Sequence, residues 1–190
     1  VTWAPDYVTL QELKGYLRIT HTDDDAFIAM WVTAASRNVD DFCGRQFGQV
    51  VGVESREYTG VWDRHIGSYV YEIDDVQTVA SMVVVDENAT EVTDYTFGPV
   101  NALKKGRPYE RIFTATGGTL LIQATWGWTV VPAAVKTGLL LQGARLAARR
   151  DSPFGISGSP QQQGEIRLLA QLDPDFRTTL KPFVRGWWAA

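Results

Sequence analysis

The chain has 190 residues and a net charge of −4, with 18 Lys and Arg against 22 Asp and Glu, an acid excess that speaks against a free-standing nucleic-acid binder. Its 45% hydrophobic and 21% charged content is ordinary for a globular chain, long enough for one domain with a large inserted element or two small domains. The single cysteine, Cys43, excludes an internal disulfide and suits a reducing compartment; no apolar run nears the roughly 18 residues of a membrane span, and Val1 to Asp6 do not read as a secretory leader.

Thr9-Leu10-Gln11-Glu12 is a capping box, in which the Thr9 hydroxyl and the Glu12 carboxylate serve each other's backbone amides. Leu10, Leu13 and Leu17 then supply one apolar face, so a first helix is expected between Tyr7 and Arg18. A second helix is expected from Asp23 to Cys43. Thr22 or Asp23 caps it, and Asp23-Asp24-Asp25 suits the positive end of its dipole. Phe27, Ile28, Trp31, Ala35, Val39 and Phe42 recur at helical spacing, and Gly44 stands where a helix commonly stops.

From Gly48 to Gly127 the period changes. Val50 to Tyr58, Tyr69 to Ile73, Val79 to Val85, Val92 to Phe97 and Thr119 to Trp126 read as strands, with Arg111 to Thr114 as a further one. Asp86 to Ala89 is a hairpin turn. Helical spacing returns at Pro132, which suits a first helical position, and runs to Arg150. Gly138, Gly143, Ala144, Ala147 and Ala148 lie within this helix. An internal Gly costs about 1 kcal/mol against Ala, so small residues here imply close approach by a neighbour. Asp151-Ser152-Pro153-Phe154-Gly155 ends the helix and opens a loop, Ile156 to Gly164. Glu165 to Leu172 reads as a short amphipathic turn of helix. Asp173-Pro174 opens a last helix with faces at Phe176, Leu180 and Phe183 or Val184, and Pro182 ends or kinks it.

The fold class this predicts is α+β, a helical bundle from both chain ends with an inserted antiparallel β-rich subdomain. The expected parts are residues 1–47, 48–128 and 129–184, followed by a tail, 185–190.

No constellation in the chain carries catalysis. Asp23, Asp24 and Asp25 point in different directions on a helix start and lack the spacing of a calcium loop. His21 and His65 are the only histidines, and the setting Trp62-Asp63-Arg64-His65 has no nucleophile elbow to serve. Cys43 falls on the apolar side of its helix and reads as a buried thiol. The glycine-rich stretches Gly155 to Gly158 and Thr116 to Thr119 fit neither a phosphate loop nor a dinucleotide fingerprint. Lys104-Lys105-Gly106-Arg107 reads as a solvated loop. No enzyme, metal or cofactor is expected. The tail differs: Trp187 and Trp188 follow Pro182 and Gly186, and Trp and Arg are enriched at interface hot spots. Partner binding through Phe183, Arg185, Trp187 and Trp188 is the expectation there.

These elements in this order resemble the head–tail connector (adaptor) proteins of long-tailed bacteriophages. The resemblance rests on Tyr7 to Lys14, Tyr16-Leu17-Arg18-Ile19, Asp23-Asp24-Asp25, Ala34-Ala35-Ser36-Arg37 and Cys43-Gly44-Arg45-Gln46-Phe47. It resumes at Trp126-Gly127-Trp128, Val131 to Lys136, and the helix end leading into Asp151 to Gly155. The β-rich middle is longer than in compact members. The resemblance implies a structural virion protein that assembles in the host cytoplasm into a ring of about twelve subunits. That ring would sit beneath the portal in the phage neck. The tail would grip the portal, a stopper or tail-completion protein would bind below, and DNA would pass through the channel without sequence-specific binding. Twelve copies at −4 each would carry about −48, a sign that discourages DNA from sticking in transit. Two other readings fit the same residues. One is another neck component, such as a stopper or head-completion protein; the other is a β-sandwich carbohydrate-binding module with stacked Trp and Tyr.

Overall fold

A computed structural model describes residues 4–151, 156–157, 166–167 and 173–186. The chain divides into two compact units, Val1–Gln46 with Val131–Ala190, and Phe47–Val130. Helices and antiparallel sheets make it mixed α and β.

The first unit holds α1 (Leu10–Leu17), α2 (Asp25–Cys43), α3 (Ala133–Asp151) and α4 (Pro174–Leu180). The capping box at Thr9 forms in both directions. Arg18 then ends α1 in the left-handed region at φ 58°. Leu13 is fully buried, and Lys14 beside it is buried as well, at 5% exposure. Its ammonium donates to the His21 carbonyl at 2.7 Å and to Asp25 at 2.5 Å. Asp25 is therefore the partner of a buried cation rather than only a charge on a helix end. Helix α2 is capped at Asp24, after both expected caps, Thr22 and Asp23; the Asp24 side chain caps nothing and instead accepts from Arg150 on α3. That bond is the first reason the Asp24 carboxyl is held below its usual range.

Helix α3 packs against α1, α2 and α4. Its glycines explain the fit. A Cβ at Gly143 would stand 3.0 Å from Leu13 on α1, and one at Gly138 would stand 3.2 Å from Leu180 on α4. The core here is Leu13, Ile28, Val32, Ala35, Val39, Val135, Leu139, Phe176 and Leu180. Ile156–Ser157 pairs antiparallel with Ile166–Arg167, so these four residues are extended where a loop and a helical turn were expected; the rest of that stretch lies outside the described residues.

The second unit has two sheets. One has strand order β1 (Glu54–Thr59), β7 (Thr119–Thr125), β4 (Thr78–Val85); the other runs β2 (Val61–Asp63), β3 (Ser68–Val76), β6 (Tyr109–Thr114), β5 (Tyr95–Gly98). All ladders are antiparallel. Period two is clearest in β7, where Leu120, Ile122 and Ala124 are buried. The chain changes sheet between β3 and β4 at Gln77. Arg56 and Tyr58 of β1 both bond Asp74 of β3, at 2.7 and 2.8 Å, and so link the two sheets. The turn at Asp86 forms, with its carboxylate accepting from the amides of Asn88 and Thr90. It closes only on a bridge between Val85 and Glu91. The next strand starts at Tyr95 and belongs to the other sheet, so the expected strand from Val92 is shorter than its pattern.

Trp126-Gly127-Trp128 closes this unit. Both indoles are buried. Trp126 donates to the Glu54 carbonyl at 2.9 Å and Trp128 to the Asp75 carboxylate at 2.7 Å. Gly127 sits at φ 104°, and a Cβ there would lie 2.0 Å from the Gly48 carbonyl oxygen. Only glycine lets these two backbone segments meet.

Candidate partner interface

The expected docking residues lie at the end of α4. Asp173 caps that helix, accepting the amides of Asp175 and Phe176 at 2.8 and 3.3 Å. Phe176 and Leu180 anchor it in the core, and Phe176 meets Phe42 of α2 edge to face with ring centres 5.6 Å apart. A short 3-10 turn follows, Lys181–Phe183, then extended backbone at Val184. The Arg185 amide donates to the Cys43 carbonyl at 2.7 Å. The chain therefore does not leave the helices at Pro182; its backbone is tied to the end of α2 as far as Arg185. Phe183 and Arg185 are half-buried. Trp187 and Trp188 lie outside the described residues.

Sequence reasoning missed the open groove beside this turn. It encloses about 420 Å³ and is lined by Phe42, Arg177, Thr178, Lys181 and Val184. It was hard to find because its walls come from α2 and α4, far apart in the chain. The second unit has its own open groove, about 400 Å³, with Ile66, Tyr95 and Phe113 in its lining. Near it stands β2, a strand the sequence reading passed over. Trp62 on this edge strand is 53% exposed and packs edge to face on Tyr69.

The residues with chemical flavour serve structure. Asp63 accepts the backbone amides of His65 and Ile66 at 2.8 and 3.3 Å, so Asp63 and His65 build a turn rather than a relay. His21 lies 3.9 Å from Asp23. Cys43 is buried, and burial pushes its thiol up to about 12, which makes it a poor nucleophile. Among the described residues no group of His, Cys, Asp and Glu could hold a metal ion, and no helix is long and apolar enough to cross a membrane.

Residues 7–76, from α1 through β3, match the family described as phage gp6-like head-tail connector proteins. The chain is similar to phage head–tail connectors. A likeness of fold to a solved structure extends well past the matched segment. The likeness covers 91% of this chain and 97% of a chain in a structure described as the neck of an empty GTA particle, computed with C6 symmetry, with a TM-score of 0.52. At 17% identity that likeness is one of fold. No curated protein matches the chain in sequence.

Proposed function

We propose that this chain is a structural protein of a phage neck, a head–tail connector that assembles as a ring beneath the portal and frames part of the DNA channel. The observation that carries the reading is the connector match over residues 7–76, joined to a fold shared across most of both chains with a protein from a particle neck. The helical unit made from both chain ends would form the repeated body of the ring. The β unit, with Trp62 exposed, would add a second surface for a neighbour below, a stopper or tail-completion protein. The chain would act by binding alone.

The tail supplies the portal contact in this reading. Phe183 and Arg185 stand at the base, fixed by the Arg185 to Cys43 hydrogen bond, and Trp187 and Trp188 follow in the sequence. Ordering such a segment on binding costs roughly 1–2 kcal/mol per residue. Buried indoles, at ~200 Å² each and ~25 cal/mol per Å², offset that cost, and repetition around a ring adds avidity. The test is removal of Trp187 to Ala190. The shortened chain keeps Arg185 tied to α2, so its melting should stay close to that of the parent while its joining to portal-bearing heads fails. Normal joining would put the portal contact elsewhere; loss of folding would put the tryptophans in the chain's own core.

A further inference from the structure

Helix α2 has a face that no described residue covers. From Ala26 to Ser36 it carries no charged side chain. One side holds the buried Ile28, Val32 and Ala35. The opposite side is exposed at Ala26, Ala29, Thr33 and Ala34, and Met30 projects from it at 62% exposure. A surface helix ordinarily turns charged and polar residues outward. This one turns an apolar strip outward, about 15 Å long from Ala26 to Ser36 at 1.5 Å per residue, ending before Arg37, which pairs with Asp40. Carboxylates stand at its rim. Asp6 is exposed and accepts from the Thr33 hydroxyl at 3.0 Å, and Asp41 is exposed at the far end.

The same unit carries the complement. The groove beside α4 has Phe42 and Val184 as apolar walls and Arg177 and Lys181 as cations. Both cations are exposed. Neither forms an ion pair among the described residues.

We propose that the α2 strip of one copy seats in the α4 groove of the next, with Met30 in the groove and Asp6 and Asp41 facing Arg177 and Lys181. Charge complementarity selects a second copy as the occupant: an apolar strip edged with carboxylates answers an apolar groove edged with cations. Methionine is flexible enough to fill an irregular groove, and opposite charges across the contact fix its register. The two surfaces are unlike, so the pairing is heterologous, and each copy gives its strip to one neighbour and its groove to the other. This rests on the reading of the chain as a self-assembling neck protein and names the surfaces through which it assembles.

The experiment uses the full chain with Ala34→Cys and Thr178→Cys, both at exposed positions, oxidised under conditions where the parent sediments as an assembly. Disulfide-linked ladders should form with both substitutions and not with either alone. In a second arm, Arg177→Glu with Lys181→Glu should reduce assembly by about tenfold, as like charges oppose across the contact; adding Asp6→Lys and Asp41→Lys should restore it. A parent that stays monomeric, alone and with portal-bearing heads, defeats the neck reading and this pairing with it. A parent that assembles while the doubly substituted chain gives no ladder defeats the pairing alone. So does a dimer formed through Ala34→Cys by itself, a cross-link from Ala34→Cys to another neck protein, or a charge swap that leaves melting unchanged and fails to restore assembly.

Discussion

At Asp40, burial works against ionisation. The carboxyl is raised above its usual value near 3.8, first by desolvation, against the lowering effects of the Tyr7 hydroxyl and Arg37. Tyr7 donates to it. Arg37 Nε lies 3.0 Å away, close enough for an ion pair but not aligned as a hydrogen bond. A carboxyl whose pKa rises on folding holds its proton more tightly in the folded chain. Its contribution is full below the unfolded pKa and is lost as pH rises through the folded one. The stability of the parent relative to Asp40→Asn should therefore fall between pH 3 and pH 7, as read by denaturant unfolding at each pH. A relative gain over that range would show that the ion pair outweighs the burial. Two further substitutions probe buried polar pairs. Asp25→Asn takes the anion from buried Lys14 and should cost about 1–3 kcal/mol. Trp128→Phe removes the donor to Asp75 and should cost about 1.5–3 kcal/mol. Both values follow from melting or urea curves, and a change within experimental error would contradict them.

Among the elements, α3 is where sequence and packing agree most closely. Two glycines in a helix are unfavourable, and each stands where a leucine of another helix approaches, Leu13 at Gly143 and Leu180 at Gly138. Gly143→Val and Gly138→Val should each overpack the helices and cost about 1–3 kcal/mol, a loss that thermal unfolding would register. Unchanged melting would mean that the helices can separate freely. The signals that were legible were local. The Thr9 capping box, the helical spacing of α2, the alternation in β7 and the Asp173-Pro174 helix start each act within a few residues of themselves. The burial of Lys14 was not legible, because its partner Asp25 comes from the next helix. Strand β2 was hidden because Trp62, Asp63 and His65 drew a chemical reading, while Asp63 spends its carboxylate on the turn. Strand Val92 to Phe97 was overdrawn because its alternating pattern does not record which sheet a segment joins. The candidate tail could be located from Trp187 and Trp188, but its anchorage depends on a backbone bond from Arg185 to the carbonyl of Cys43, which no side-chain pattern reveals.

For the whole molecule, Asp63 and His65 build a turn and Cys43 lies in the core, while the groove beside α4 is lined by Phe42, Arg177, Thr178, Lys181 and Val184. Connector similarity across residues 7–76 is the ground of the proposed neck role, in which the chain's surfaces would meet further copies and partners. The most direct measurement is the mass of the assembly formed when purified chain is mixed with a purified portal ring. The account predicts that whole multiples of the 21.1 kDa subunit add to the portal as one closed set, and that the set is lost when Trp187 to Ala190 are removed. A chain that stays at its monomer mass beside an unaltered portal, while still folded, would contradict it.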